Sequence, residues 1–438
     1  MSGPDNNRPI PTKAQLEWAD MELGVLIHYD IPVFSPGFEF RENWGNPLDV
    51  SLFNPAQLDT DQWLSTAAAA GAKYAVLVAK HCSGFSLWPT QAHGYSLKSS
   101  PWKNGTGDIV GDFIKSCKKF GIKPGLYYSV ACNGYFCVDN PGKVLSGNEN
   151  EQKAYNEMVV KQVTELWTQY GDLFEIWFDG GALPPEKGGP DVLSLLLKYQ
   201  PNAVCFQGPE QSPSILRWVG NESGLAPNPC WSTTNVADGD LSGTEAVPEI
   251  GIGDPEGRVW APAETDMPNR YLLSNGGGWF WRAGEDDMLF EPGELLERYY
   301  TSVGCNTNLL IGMVIDDRGL VPDADAEQFK KFGDLIKNRF DHPAAETAGT
   351  GCEFEIKFDA PAAVNHVILM EDISAGERVR EYAVEAEING INKTICKGFS
   401  VGHKRIEQFE DVQATRIRLK ILKSTDEPVI RKFAVYRI

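Results

Sequence analysis

Residues 173–180 read LFEIWFDG, and the fold turns on how that stretch is read. It is short, apolar and aromatic without strict alternation, the pattern of a strand covered on both faces. Helical spacing lies on either side of it. EQKAYNEMVVKQVTELWTQYG (151–171) ends on a glycine suited to a helix C-cap, and DVLSLLLKYQ (191–200) is a second helical pattern. Working outward, the same unit recurs. GVLIHY (24–29), KYAVLVAKH (73–81), KPGLYYSV (123–130), AVCFQG (203–208) and NLLIGMVI (308–315) read as strands. DQWLSTAAAAGA (61–72), IVGDFIKSCKKFG (109–121), PGELLERYYTSVG (292–304) and DADAEQFKKFGDLIKNRF (323–340) read as helices. Repeated strand–helix units with right-handed crossovers leave a closed barrel or an open doubly wound sheet. A dinucleotide-binding sheet wants GxGxxG after its first strand, but DIPVFSPG follows here, and the glycines of NGTGDIVG (104–111) have another spacing. The α/β class therefore resolves to a TIM-like (β/α) barrel. After Arg339 the texture changes. CEFEIKF, VNHVILME, EYAVEAEI, TRIRLKIL and IRKFAVYRI follow one another at strand spacing, separated by turn residues. They predict a C-terminal antiparallel β-sandwich. The expected division is a barrel over 1–342 and a sandwich over 343–438, with the boundary in DHPAAETAGTG (341–351).

Composition narrows the partners. The 438 residues carry a net charge of −20. That charge repels phosphate backbones, so nucleic acid and anionic membranes are poor partners. No apolar run is long enough for a bilayer span, so no membrane insertion is expected. MSGPDNNRPIP lacks the basic-then-apolar layout of a secretory leader, and a leader trimmed earlier would leave the compartment open. The nine cysteines include no CxxC and the six histidines no HExxH. Free or buried thiols are expected, with no metal site and no cofactor. The 12 Trp, 14 Tyr and 21 Phe suit a protein that handles sugars, whose apolar ring faces stack on indoles.

Active sites of such barrels lie at the C-terminal strand ends. The polar residues closing the strand runs are His28, Lys80, His81, Tyr127 to Ser129, Asp179 and Gln207. In EIWFDGG, alternation puts Glu175, Trp177 and Asp179 on one face, aiming Trp177 and Asp179 at the mouth. The alternative, less favoured by position, is that Asp179 caps the following turn. Glycoside hydrolysis needs a second carboxyl group, and spacing alone leaves Glu210, Glu222, Glu245, Glu249 and Glu264 open.

The pieces GVLIHY, ENWGNP, FNPAQLDTDQW, AGAKYAVLVAKH, GFSLWPT, EIWFDGG, RWVGNESG, WAPAET, GGWFW and NLLIG, in this order, resemble glycoside hydrolase family 29, the retaining α-L-fucosidases. The likeness is greatest to the branch acting on α-1,3/1,4 linkages. VNHVILMEDISAGERVREY and GHKRIEQF resemble the discoidin-like sandwich that often follows this barrel. The resemblance implies that Asp179 is the nucleophile and that Glu222, in the GNE motif, is the acid/base, with Glu264 as the second choice. Their carboxyl groups should then stand about 5–5.5 Å apart. It further implies that His28, Trp44, His81, Tyr127, Trp177 and Trp279 surround the fucose, with a fucosylated oligosaccharide or glycoconjugate as substrate and no cofactor.

The chain departs from the family pattern where HHDGF becomes HCSGF at 81–85, where Asn43 replaces Glu before Trp44, and where SVACNGY follows the third strand. A thiol is a weak donor and cannot replace an imidazole toward a hydroxyl. These changes leave an α-L-galactosidase or a related α-L-glycosidase as an alternative, and a non-catalytic carbohydrate-binding protein as another. A thiol hydrolase pairing Cys82 with His81 ranks lower, since adjacent strand residues face opposite sides. The sandwich is expected to support the barrel. The sequon at Asn221 is read as chance, because a glycan there would crowd Glu222.

Overall fold

Eight parallel strands close into a barrel: β1 (Leu23–His28), β2 (Tyr74–Lys80), β3 (Lys123–Tyr128), β4 (Glu175–Trp177), β5 (Val204–Phe206), β6 (Ile215–Trp218), β7 (Ala263–Met267) and β8 (Asn308–Val314). The computed structural model describes residues 8–39, 41–209, 211–235 and 251–438. Strand order around the barrel follows the chain, and β8 closes on β1 with Leu23 opposite Leu309 and His28 opposite Val314. Helix α1 (Lys13–Met21) precedes β1. Helices α2 (Thr60–Ala69), α3 (Ile109–Phe120), α4 (Glu149–Gln169), α5 (Val192–Tyr199), α6 (Pro292–Thr301) and α7 (Asp323–Phe340) follow β1, β2, β3, β4, β7 and β8.

The near-continuous apolar runs are explained by burial on both faces. On β2, Tyr74, Val76 and Val78 join the barrel interior, while Ala75, Leu77 and Ala79 pack outward under the helices. Strands β6 and β7 are a correction to the sequence reading, which assigned no strand to either segment. Each is short and carries charge inward or sideways: Arg217 in β6, Glu264 and Asp266 in β7, all buried. Buried charge erases the apolar signature of a strand. The Arg217 guanidinium is satisfied by the carbonyls of Ala261, Trp231 and Gly251, which straps the β6–β7 connection to the barrel.

The C-terminal strands are β9 (Ala345–Thr350), β10 (Glu353–Glu371), β11 (Val379–Ile388), β12 (Ile391–Gly398), β13 (Arg405–Ser424) and β14 (Val429–Tyr436). All neighbours are antiparallel, in the order β9-β14-β10-β13-β11-β12. The long strands β10 and β13 change register twice along their pairing. Bulged strands bend, so the sheet folds on itself. Val384 of β11 and Phe433 of β14, far apart in sheet order, share one core with Val367 and Leu419. CEFEIKF and VNHVILME are thus parts of one strand. Residues 345–350 are an exposed edge strand within the expected linker, and their small polar side chains gave no alternation to read.

This sandwich docks on the N-terminal ends of the barrel strands. Lys404 Nζ reaches Glu22 Oε2 at 2.7 Å, just before β1. The Glu377 carboxylate accepts from Asn306 Nδ2 at 2.6 Å and Ser232 Oγ at 2.6 Å. The opposite end of the barrel is left for chemistry. Among the described residues no helix is long and apolar enough to cross a membrane.

Candidate active site

The inward alternation of β4 continues past the strand, so Glu175 lies in the floor, Trp177 above it and Asp179 at the mouth. Tyr127, Trp177 and Phe206 are register partners on β3, β4 and β5. Parallel pairing therefore stacks their rings. Tyr127 lies 5.3 Å from Trp177 at 17°, Trp177 lies 4.0 Å from Phe206 at 5°, and His81 continues the stack at 5.7 Å from Tyr127. From this rigid layer the Tyr127 hydroxyl donates to Asp179 Oδ2 at 2.7 Å. Gln207, which closes β5, accepts from Gly180 N at 3.0 Å and holds the turn beyond Asp179. Burial raises the pKa of Asp179, the Tyr127 hydrogen bond opposes that rise, and the charge of Glu222 adds to it. The negative charge of Glu222 is thus felt at Asp179.

Glu222 sits in the β6–β7 loop and is exposed to the mouth. Asn221 shapes this loop: its Nδ2 donates to Leu225 O at 2.9 Å and its Oδ1 accepts from Ser223 N at 3.0 Å. Gly224 follows at φ +65°, and a Cβ there would meet Met267 Sδ at 2.7 Å. Trp279 Nε1 donates to Glu222 Oε2 at 3.0 Å. The Trp279 ring lies over β8 only because residue 312 is glycine: a Cβ there would stand 2.8 Å from it. His28 completes that wall, its ring 4.8 Å from Trp279, 5.8 Å from His81 and 5.4 Å from Phe280. Burial lowers His28 to about 3 and takes His81 well below its ordinary value, so both imidazoles are neutral at neutral pH. Trp44 faces a cleft of about 360 Å³ together with His81, Cys82 and Cys132.

Glu264 occupies a different place. It is fully buried, accepting from the Tyr74 hydroxyl at 2.6 Å and from Trp177 Nε1 at 3.0 Å. Burial raises its pKa, and it also raises that of Glu175, which the Glu264 charge pushes further. This pair is the floor beneath the aromatic layer, so Trp177 is anchored from below and only 5 % exposed. Glu210, Glu245 and Glu249 lie outside the described residues. Sequence reasoning missed Asp266, a buried carboxyl group on β7 that accepts from Trp218 Nε1 at 2.7 Å. Burial raises its pKa strongly, and Glu222 adds to the rise. Period-two reading of AETDM would have found it beside Glu264 on one face.

Two of the family departures lie off the pocket wall. The Ser83 hydroxyl donates to Asp30 Oδ1 at 2.8 Å and accepts from Phe85 N, and Asn43 Nδ2 donates to Glu39 O within its own loop. Cys82 does line the cleft. The expectation that His81 and Cys82 face opposite sides is also corrected: β2 ends at Lys80, and both residues line one cleft beyond it.

A TIM-like barrel whose mouth holds carboxyl groups within a wall of indoles, phenol and neutral imidazoles is the arrangement of a glycoside hydrolase. The comparisons with known proteins are specific. The α-L-fucosidase family model matches residues 10–339. Alpha-L-fucosidase 1 of Arabidopsis thaliana is 30% identical, with 98% of this chain and 87% of that protein covered. A solved structure from Bacteroides thetaiotaomicron, titled "putative alpha-L-fucosidase", superposes with a TM-score of 0.93 at 40% identity, over 98% of this chain and 100% of that one. At 22% identity, a Ruminococcus gnavus GH29 fucosidase solved in complex with fucose shares the fold, with a TM-score of 0.82 over 100% of this chain and 96% of that one. The chain belongs to the α-L-fucosidases of glycoside hydrolase family 29.

Proposed function

We propose that the enzyme is a retaining, exo-acting α-L-fucosidase that removes terminal α-1,3/1,4-linked fucose from branched glycans, with Asp179 as nucleophile and Glu222 as acid/base. The observations that carry the assignment are the hydrogen bonds that hold Asp179 to Tyr127 just past β4 and Glu222 to Trp279 on the β6–β7 loop, while Glu264 is sealed in the floor. Tyr127 holds one oxygen of Asp179 and leaves the other to attack the anomeric carbon. In the first step that attack forms a glycosyl ester while the Glu222 carboxylic acid protonates the departing glycosidic oxygen. In the second, the Glu222 carboxylate takes a proton from water, whose oxygen attacks the anomeric carbon and returns Asp179 to its carboxylate. Two inversions give net retention. Neutral His28 and His81 can each donate to or accept from a sugar hydroxyl, and Trp279 supplies an apolar face for the ring and methyl group.

The test is sugar release from an α-1,3/1,4-fucosylated branched trisaccharide by wild type and Asp179→Asn, beside the matching α-L-galactoside. Release of fucose by wild type alone supports the reading. Faster cleavage of L-galactose would overturn the glycone, and sugar binding without release by wild type would leave a carbohydrate-binding protein instead.

A further inference from the structure

Hydrolysis makes no use of the thiol on the pocket wall, yet that thiol stands in a donor set. The Cys82 sulfur, a ring nitrogen of His81 and a carboxylate oxygen of Asp179 all lie within 4.8 Å of one another, and all three residues are half-buried. A second thiol, Cys132, lines the same cleft and, with burial and the Asp179 charge, holds the Cys82 thiol above its ordinary pKa. The loop carrying Cys132 is fixed by Lys80, buried beneath it, whose Nζ donates to the carbonyl oxygens of Ser129 and Cys132.

We propose that Cys82, His81 and Asp179 form a binding site for a thiophilic divalent metal ion of the zinc class, and that occupancy shuts off hydrolysis. One thiolate, one imidazole and one carboxylate are three ligands a tetrahedral zinc ion accepts, with a fourth position open to the cleft. Zinc bonds of about 2.0–2.3 Å place ligand atoms about 3.5 Å apart. The donors, now within 4.8 Å of one another, would have to close toward that spacing on binding. Sulfur and imidazole select against Ca²⁺ and Mg²⁺, which prefer oxygen. On binding, the Cys82 thiol releases its proton to solvent and the thiolate ligates, while His81 binds as the neutral imidazole. The ion would occupy the attacking oxygen of Asp179 and fill the place of the sugar. Only this inhibitory consequence rests on the function proposed above; the binding site rests on the donor geometry.

The experiment uses the full chain and two readouts. Cd²⁺ is titrated while the ultraviolet thiolate-to-metal charge-transfer band is followed, and Zn²⁺ binding is measured by calorimetry. Wild type should bind one equivalent and show the band, Cys82→Ser should lose the band and bind at least 100-fold more weakly, and His81→Ala and Asp179→Asn should each bind at least tenfold more weakly. The same Zn²⁺ concentrations should inhibit fucoside hydrolysis. Equal binding by wild type and Cys82→Ser, or no binding at all, would overturn the site. A band lost in Cys132→Ser but kept in His81→Ala and Asp179→Asn would also overturn it, in favour of a two-thiol site. Metal binding without any fucosidase activity in the metal-free enzyme would uphold the site and overturn the functional reading.

Discussion

The two ends of the barrel handle buried charge in opposite ways. At the N-terminal end, where the sandwich docks, Glu22 is answered by a cation. Burial alone would push its pKa up, but Lys404 and His403 more than offset that and hold it well below the ordinary range. At the mouth, burial raises the pKa values of Asp179 and Asp266, and the charge of Glu222 adds to both. Pairing with a cation fixes a proton state and serves assembly. Carboxyl groups set near one another with no cation between them hold their protons to higher pH. The two ends thus differ in what answers the charge: Lys404 and His403 at Glu22, other carboxyl groups at Asp179 and Asp266.

The largest effect is expected from Asp179→Asn, which should lower kcat about 10⁴-fold with the melting temperature little changed, measured on the branched trisaccharide. Glu222→Gln should cost about 10²–10⁴-fold on the same substrate and far less on an aryl fucoside, whose leaving group needs no proton. It should also move the acid limb of kcat/KM on the aryl substrate to lower pH. The sign follows because the Glu222 charge raises Asp179, and removing that charge lets Asp179 ionise earlier. At the other end, Lys404→Met should leave kcat intact and destabilise by about 3 kcal/mol, because half-buried Glu22 loses its lysine and keeps only its His403 and Tyr299 contacts. In wild type, the depressed Glu22 pKa contributes stability above its unfolded value and loses it as pH falls below that value. The variant should show a smaller acid-side loss in a series of melts, since His403 still faces Glu22. The smallest effect is expected at Glu371, in the sandwich, which burial raises to about 8. Its proton is kept in the folded state and lost from the unfolded one between pH 4.5 and 8, so it costs stability as pH rises through that window. Glu371→Gln should therefore melt like wild type near pH 4.5 and a few degrees higher at pH 8.

Most of this contrast was legible at the mouth and hidden at the base. The run LFEIWFDG showed both the strand and the direction of Asp179, because period-two alternation survives the chain's departure from the sheet at Trp177. Glu222 and Glu264 could not be separated by spacing. Each follows an aromatic-bearing segment, and only closure of the barrel turns one into the loop above the mouth and the other into the floor below Trp177. Strand β7 was illegible for the same reason: Ala-Glu-Thr-Asp-Met is a barrel strand whose inward residues are polar, and no hydrophobic period marks it. The pairing of Lys404 with Glu22 spans almost the entire chain, so no local pattern foretells it. Cys82 stood out as a departure from the family pattern, but its place beside His81 depends on β2 ending one residue earlier than its apolar run suggests.

The central claim is that Asp179 carries the sugar. A slow 2-deoxy-2-fluoro-α-L-fucosyl substrate with a reactive leaving group should stall the enzyme as a covalent ester, read by intact mass and mapped by peptide fragmentation. The account requires one fluorofucosyl unit on Asp179. An adduct on Glu222 or Asp266 would contradict it, as would rapid turnover of the natural fucoside with inversion at the anomeric carbon.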